Sequence, residues 1–207
     1  MERLKEALSA AGIAYKENEP LCAHCTFRIG GPADLFVLPE NEEQLCAAIR
    51  LAKEAGVKSY LLGNGSNILF EDAGYRGAVI NVSAMKSGIG VIENISFPGK
   101  DPALTYDAVV VGAGQMLSSL CMAALENSLT GLEFAYGIPG TVGGAVYMNA
   151  GAYGGEMKDV LASVRYLTGE GEIVEAPAEQ LDLRYRHSIF EENGGCILSA
   201  KFYQIGR

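Results

Sequence analysis

The sequence predicts an α+β fold in two lobes, residues 1–84 and 85–207. Three observations predict it. A capped helix and a strand lead into a glycine turn early in the chain, a polar stretch broken by proline and glycine follows, and the second half contains successive strand patterns separated by turns. Strands that follow one another through short turns favour antiparallel pairing, so we expect an antiparallel sheet in the second lobe.

The first lobe begins with an amphipathic helix over residues 2–11. A second helix is predicted over 41–55, because Asn41 can cap its start, two glutamates occupy its first turn and Gly56 follows its end. Short strands complete this lobe, and they are predicted over 26–38 (a strand, or a hairpin around its paired glycines), 57–62, 68–70 and 77–82.

The second lobe begins after a stretch, 87–107, that is polar, interrupted by prolines, and therefore predicted to be an irregular loop. A helix is predicted over 116–128, where apolar residues recur on one face. Glu170-Gly171 predicts a tight hairpin turn. The predicted strands of this lobe are 108–111, 160–167, 172–175, 182–189 and 196–203.

Composition and charge restrict the function. Hydrophobic residues make up 49% of the chain, enough for a core, and the net charge of −9 argues against nonspecific binding to nucleic acid or to an anionic membrane. The first residues lack the pattern of a signal peptide, and no apolar run approaches the roughly 18 residues of a membrane span. We therefore expect a cytoplasmic protein in which an anionic ligand needs a local pocket of Arg, Lys and backbone N–H groups.

The cysteines are expected to be free thiols. Five of them, an odd number, stand without the spacing of a disulfide framework. Cys22 and Cys25 form a CxxC pattern that encloses His24, but a zinc site needs a second pair of ligands and the chain contains no second CxxC. We therefore expect no metal.

A strand followed by GxG and a helix, as at Val109–Gly114, is also the opening of a dinucleotide-binding fingerprint. The third glycine of that fingerprint would stand at position 117, which is Leu117. The sequence therefore favours a tight strand-to-helix turn over a Rossmann site.

The first glycine-rich turn, Gly63–Asn67, can form an anion-binding nest of successive backbone N–H groups, to which Ser66 and Asn67 add side-chain donors. It lacks the GK[ST] ending of a nucleotide P-loop, so ATP hydrolysis is not expected. A structural turn held by local asparagine hydrogen bonds is the alternative.

The second glycine-rich segment, Gly137–Glu156, contains seven glycines in twenty residues. Such density costs backbone entropy and contributes no side-chain packing, which indicates that main chain passes close to something large and flat or anionic. A tightly packed crossover without a ligand is the alternative. Two glycine-rich turns in one chain suggest a cofactor with two ends.

Two arginines lie on the predicted strand 182–189. Alternation along a strand would place Arg184 and Arg186 on one face, where two guanidinium groups can clamp a carboxylate or a phosphate. A solvated strand face is the alternative.

Four segments, in this order along the chain, resemble the UDP-N-acetylenolpyruvoylglucosamine reductases. They are Thr26–Asp34, Leu61–Asn67, Leu129–Glu156 and Tyr185–Ser188. The resemblance covers nearly the whole chain. It implies the two-lobed FAD-binding fold of the vanillyl-alcohol-oxidase-like (PCMH-type) flavoproteins, with FAD between the lobes, and it implies that the chain ends where the family's substrate-binding domain begins.

The same resemblance implies a reaction and its cofactors. Noncovalent FAD would be reduced by NADPH as co-substrate, and the reaction would convert UDP-N-acetylglucosamine-enolpyruvate to UDP-N-acetylmuramate in peptidoglycan synthesis. Arg186 would be the catalytic arginine that stabilises charge on the substrate carboxylate, and Tyr153 would also contact the substrate, whereas Arg184 is outside the family pattern. The residues implied to bind FAD are Leu62, Gly63, Asn64, Gly65, Ser66, Asn67, Ile138, Pro139, Gly140, Thr141, Gly143, Gly144, Asn149, Gly151 and Ala152.

The family's catalytic serine and glutamate would lie beyond this chain, so the 207 residues are not expected to reduce the substrate by themselves. Two alternative functions stay open at this point. One is the FAD subunit of another oxidoreductase of the same fold, and the other is a non-enzymatic FAD-binding module.

Overall fold

A computed structural model describes residues 1–85, 88–95 and 106–206 of the chain. The chain divides into two compact units, Met1–Lys86 and Ser87–Arg207. Within the described residues, no helix is long and apolar enough to cross a membrane.

The first unit pairs two helices with a four-stranded sheet. The sheet has the order β1-β2-β4-β3, with β1 antiparallel to β2 and the other neighbours parallel. A 3₁₀ turn, Leu21–His24, follows β1. The elements are α1 (Glu2–Ala10), β1 (Ala14–Pro20), β2 (Pro32–Leu38), α2 (Glu42–Glu54), β3 (Ser59–Leu62) and β4 (Tyr75–Asn81).

Helix α2 forms for the reasons that its sequence predicts. The Asn41 side chain accepts a hydrogen bond of 2.9 Å from the Gln44 N–H, and Gly56 has a φ of +66° just beyond the end of the helix. Leu45, Ala48 and Ala52 are buried along one face. The predicted helix and both of its ends are confirmed.

The second unit contains a six-stranded sheet in which every described pair is antiparallel, as predicted. The path is β11-β10-β12-β6-β5, and β7 pairs with β12 beside it. Its strands are β5 (Ile89–Ile95), β6 (Tyr106–Gly112), β7 (Leu129–Thr130), β10 (Leu161–Leu167), β11 (Ile173–Pro177) and β12 (Cys196–Gly206). The remaining elements are the helices α3 (Leu117–Glu126), α4 (Val142–Tyr147) and α5 (Phe190–Asn193), and the two-residue strands β8 (Gly151–Ala152) and β9 (Gly155–Glu156).

The GxG segment is a tight turn, as the sequence favours. The Gln115 N–H donates to the Gly112 carbonyl at 3.1 Å, and α3 begins two residues later. Both described neighbours of β6 run antiparallel to it. A dinucleotide fingerprint needs a parallel βαβ unit, so this connection does not provide one.

The strand predicted over 68–70 is wrong, and the one predicted over 26–38 is confirmed only in its second half, where β2 spans Pro32–Leu38. Residues 26–31 and 68–70 have no strand structure. They approach each other at the paired glycines instead, where the Gly31 N–H donates to the Glu71 carbonyl at 2.9 Å. A Cβ on Gly30 would lie 2.5 Å from that of Phe70, so only glycine allows this contact.

Five of the described strands were not predicted: β1, β5 and the two-residue strands β7, β8 and β9. Strand β1 has the sequence AYKENEP and mostly exposed side chains, and the described residues give it a partner on one side only, so it needs no apolar alternation. Strand β5 occupies part of the predicted loop, at the edge of the second sheet. Residues 87 and 96–105 of that predicted loop lie outside the described residues.

The buried Cys121 on α3 makes the stability of the folded chain depend on pH above 9. It is buried, its thiol donates to the Leu132 carbonyl at 3.3 Å, and burial, together with the charge of Glu133, raises the pKa of the thiol from 9.0 to about 11. The folded chain therefore holds this proton more tightly than the unfolded chain. Its contribution to stability is complete below pH 9 and is lost as the pH rises towards 11.

We expect the free energy of unfolding of the wild type to fall more steeply from pH 9 to 11 than that of Cys121→Ala, as measured by urea denaturation. Cys22→Ala, at a partly exposed position, is the matched control and should keep the wild-type slope. Parallel pH profiles for all three proteins would contradict the assignment.

Candidate functional site

The first glycine-rich turn follows β3 and packs on the 21–28 segment, which contains the 3₁₀ turn and the residues after it. Gly65 is buried and has a φ of +64°. A Cβ on this residue would lie 2.1 Å from the His24 carbonyl oxygen and 2.8 Å from the Cys25 Cα. Position 65 therefore requires glycine for packing within the chain as well as for its backbone conformation.

Hydrogen bonds fix the turn from two sides. On one side, the Thr26 N–H donates to the Gly65 carbonyl at 3.0 Å. On the other side, the Asn81 Nδ2 donates to the Gly63 carbonyl at 3.2 Å, and the Val82 N–H donates to the Leu62 carbonyl at 2.9 Å. The turn is therefore fixed on both sides by contacts within the chain.

A cleft of about 440 Å³ opens beside the turn. It lies at the carboxyl ends of the parallel strands β3 and β4, where Leu62 pairs with Asn81. Open α/β sheets commonly bind ligands at such an edge. The residues that line the cleft are Ala23, His24, Cys25, Thr26, Arg28, Gly63, Asn64, Asn81 and Ser83.

The electrostatic character of this cleft differs from that of the whole chain. None of the described lining residues is Asp or Glu, and Arg28 is the one Lys or Arg among them, although the chain carries a net charge of −9. Backbone groups, two side-chain amides, two hydroxyls and a guanidinium suit an anionic ligand.

Two of the six site residues predicted in this unit, Gly63 and Asn64, line the cleft. The other four lie around the turn: Leu62 and Gly65 are buried, Ser66 is partly buried and Asn67 is exposed. The sequence reasoning missed the 21–28 segment, Asn81 and Ser83. The polar residue that ends the apolar strand β4 was the available signal.

In the second unit, the glycine-rich segment uses its first backbone donors inside the chain. The Val142 N–H donates to the Gln115 carbonyl at 2.8 Å, and the Gly143 N–H donates to the Ala113 carbonyl at 2.9 Å. The Gly144 N–H donates to Oγ1 of the N-cap residue Thr141 at 3.3 Å. The start of α4 is therefore satisfied without a ligand.

Close packing explains one of these glycines. A Cβ on Gly143 would lie 2.8 Å from the Ala113 Cβ, whereas Gly144 is exposed and its Cβ would meet only the Thr141 Oγ1, at 3.3 Å. Gly140 and Thr141 are buried, Ile138 is partly buried and Pro139 is exposed. The alternative of a tightly packed crossover thus accounts for Gly143, and the role of the segment in binding FAD stays a prediction.

Strands β8 and β9 form a small hairpin with a two-residue turn. Tyr153 and Gly154 have φ values of 51° and 86°, as a primed turn requires. Tyr153 is 94% exposed at the tip. Gly155 allows the hairpin to lie on Phe134, since a Cβ there would be 2.8 Å from the Phe134 ring.

The strand predicted over 182–189 is wrong. Asp182 and Arg186 have positive φ values of 46° and 54°, and the backbone groups of Arg184 and His187 bond to each other across a turn. Consequently Arg184 and Arg186 do not share a strand face. The Arg184 guanidinium pairs instead with Asp182 at 2.6 Å and contacts His187.

This turn contacts the hairpin through Arg186. Its Nη2 donates to the Gly151 carbonyl at 3.5 Å, while the residue stays exposed. The fully buried Ser188 donates to the Tyr147 carbonyl at 2.6 Å, which ties the end of the turn to α4. The structure thus brings Arg186 and Gly151 together, and they were predicted from separate motifs.

Asn149 joins the same two segments. Its Nδ2 donates to the Glu156 Oε2 at 2.6 Å and to the Arg184 carbonyl at 2.9 Å, and its Oδ1 accepts from the Lys158 N–H at 2.9 Å. The residue is buried and has a φ of 39°. These bonds use both N–H groups of its side-chain amide, so its side chain positions the turn and the hairpin.

Comparison with known proteins identifies the class of this fold. Residues 33–177 match the family model described as FAD binding domain, and the chain belongs to this family.

Relatives with curated names define the similarity further. The chain is 46% identical over 204 residues to the UDP-N-acetylenolpyruvoylglucosamine reductase of Agathobacter rectalis, a match that covers 98% of the chain and 63% of the relative. It is 46% identical over 187 residues to the reductase of the same name from Clostridioides difficile, covering 90% and 57%. The chain thus spans about three fifths of the length of these relatives.

Solved structures agree. The crystal structure of the Thermus caldophilus UDP-N-acetylenolpyruvylglucosamine reductase (MurB) has a TM-score of 0.67 and 29% identity, with 94% of this chain and 63% of that chain covered. The crystal structure of a VAO-type flavoprotein from Myceliophthora thermophila shares the fold, with a TM-score of 0.67 and 16% identity. The match covers 86% of this chain and 32% of the flavoprotein chain. The predicted fold class is confirmed.

The two neighbouring glycines of α4 provide a matched test of packing. We expect Gly143→Ala to lower the free energy of unfolding by about 1–3 kcal/mol, because its methyl group overlaps Ala113. Gly144→Ala should change it by less than about 1 kcal/mol, because the helix preference of alanine opposes the slight crowding of its exposed methyl group against the Thr141 Oγ1. Urea denaturation of both variants tests this, and equal effects would contradict it.

Proposed function

We propose that this chain binds FAD noncovalently and forms the FAD-binding part of an NADPH-dependent reductase. The substrate would be UDP-N-acetylglucosamine-enolpyruvate, the product UDP-N-acetylmuramate, and the process peptidoglycan synthesis in the cytoplasm. The contact between the Arg186 turn and the Gly151 hairpin carries the proposal, because both belong to motifs that resemble this reductase family. Similarity to curated reductases of that name supports it.

The residues of the first unit fit the cofactor. A cleft lined by Gly63, Asn64, Thr26, Asn81 and Arg28 offers donors for the phosphate groups of FAD, and none of its described lining residues carries an acidic side chain. We propose that residues 62–67 hold this part of the cofactor, as the sequence predicts.

In the second unit, the proposed FAD-binding residues are those predicted from the glycine-rich segment. Gly144 and Pro139 are exposed and can contact a ligand directly. Gly143 and Asn149 are buried and bonded within the chain, so they would act by fixing the backbone. When bound, FAD supplies the hydride chemistry, and the protein supplies binding, orientation and electrostatics.

Arg186 would act on the substrate carboxylate. Its guanidinium is exposed. Among the described residues it makes one long hydrogen bond, to the Gly151 carbonyl, and lies over the ring of Tyr185 at 5.7 Å, so most of its donors can reach a ligand. A guanidinium binds a carboxylate with two parallel hydrogen bonds and stabilises negative charge that develops there. Tyr153, on the neighbouring hairpin, is the proposed second substrate contact.

The FAD proposal predicts a visible property. The purified chain should be yellow, and denaturation should release intact FAD into the filtrate, because the proposed contacts are noncovalent. Absorbance spectra of the protein, filtrate and pellet check both points. A colourless protein that also fails to bind added FAD would contradict the proposal, and flavin that stays with the pellet would contradict noncovalent binding.

The role of Arg186 can be tested after joining the chain to the part of the Agathobacter rectalis relative that it does not cover. We expect Arg186→Ala to lower substrate-dependent NADPH oxidation by roughly a hundredfold or more, since it removes a donor to developing charge, while FAD content is unchanged. Arg184→Ala, two residues away, is the control. Equal loss of FAD and activity in Arg186→Ala would assign that arginine to the cofactor site or the fold.

A further inference from the structure

We propose that Arg28 provides the positive charge that binds the diphosphate of the dinucleotide in the cleft of the first unit, and that the 21–28 segment forms the wall opposite the glycine turn. The inference rests on the proposed function, and it specifies which residue of the cleft supplies the positive charge. Arg28 lies in the Thr26–Asp34 segment, but the resemblance assigned it no role, and its position beside the cleft is what points to it.

The charges at the cleft single out Arg28. It is the one Lys or Arg among the described lining residues, and none of those residues is Asp or Glu. His24 also lines the cleft, but its side chain is already engaged. Its Nε2 lies 2.8 Å from the Glu19 Oε1, and its ring stacks on Phe36 with 4.0 Å between the ring centroids. A doubly charged ligand would therefore meet one available guanidinium.

The contacts of Arg28 differ from those of Arg76 in the same unit. Arg76 is committed to the structure: its guanidinium pairs with Asp34 at 2.8 Å and donates to the Pro32 and Ala73 carbonyls. In the described part of the chain, no hydrogen bond or ion pair engages the Arg28 guanidinium. An exposed arginine beside an anion-binding cleft keeps its donors for a ligand.

The backbone holds Arg28 in place. The residue has a φ of 56°, a conformation that non-glycine residues adopt rarely and that clusters at functional sites. Its N–H donates to the Cys25 carbonyl at 3.2 Å, and the Cys25 thiol donates to the Ile29 carbonyl at 3.3 Å. Because the Thr26 N–H also binds the Gly65 carbonyl, both walls of the cleft are linked before a ligand arrives.

The decisive variant is Arg28→Asn, because asparagine is neutral and tolerates positive φ. We expect its Kd for FAD to rise about 10- to 100-fold, as for the loss of a charge-assisted hydrogen bond. Isothermal titration calorimetry with ADP, which contains the same diphosphate group, should show a similar rise in Kd. Arg50→Gln, at an exposed position of α2, removes the same charge from the same unit and should leave both constants unchanged.

Salt separates a charge contact from damage to the fold. The wild-type Kd for FAD should rise from 50 to 300 mM salt, and this rise should shrink in Arg28→Asn, because salt screens a charge pair that the variant lacks. Arg28→Lys should keep the salt dependence while it loses part of the affinity. Unchanged salt dependence in Arg28→Asn would overturn the inference even if its affinity fell.

The outcomes distinguish this inference from the function on which it rests. If the wild type binds neither FAD nor ADP, the proposed function itself fails. If the wild type binds FAD and Arg28→Asn binds it within twofold, FAD binding stands and the role of Arg28 is wrong.

Discussion

The close approach of glycine main chain to a neighbouring segment, with no room for a side chain on the glycine, is the constraint on which both candidate sites depend. In the first unit, Gly65 lies against the His24 carbonyl, and in the second unit Gly143 lies against Ala113 and Gly155 against Phe134. Each contact fixes a turn at a defined distance from its neighbour. A glycine-rich sequence therefore produces closely packed turns here, because main-chain atoms at Gly65 and side-chain atoms at Gly143 and Gly155 fill the space that a side chain would take.

Because of this constraint, different residues of each site determine its shape and its polar groups. The closely packed glycines set the shape, and other residues contribute the polar atoms beside them: the exposed Arg28 and Ser83 with the buried Asn81 at the cleft, and the exposed Arg186 and Tyr153 on the two turns of the second unit. Shape and charge thus come from different parts of the sequence. Such preorganisation lowers the entropy lost when a ligand binds.

The fold could be predicted where local signals and packing agree. The Asn41 cap, the turn at Glu170-Gly171 and the antiparallel order of the second sheet all follow from short-range patterns. Strand β1 could not be predicted, since one partner and exposed side chains remove the need for apolar alternation. The alternating residues of 182–189 imitate a strand, but two positive φ values bend them into a turn.

The candidate site of the first unit was predicted only in part, for a related reason. Motifs identify contiguous residues, whereas the cleft is assembled from three separate segments: 23–28, the glycine turn, and the residues that end and follow β4. Tertiary structure alone brings these segments together. Arg28 fell in the first half of a predicted strand, and the close contact between 30–31 and 70–72, which is incompatible with a strand over 26–31, cannot be read from either segment alone.

Asn149 has a consequence for the dynamics of the second unit. Its one side chain bonds the Arg184 carbonyl, the Glu156 carboxylate and the Lys158 N–H, so a movement of Asn149 breaks bonds to the hairpin and to the Arg186 turn at the same time. Segments linked in this way open together. The Lys158 N–H is bonded to the Asn149 Oδ1, and the His187 N–H is bonded to the Arg184 carbonyl. Equal hydrogen-exchange rates at these two amides would then indicate one cooperative opening of the surface that carries the exposed Tyr153.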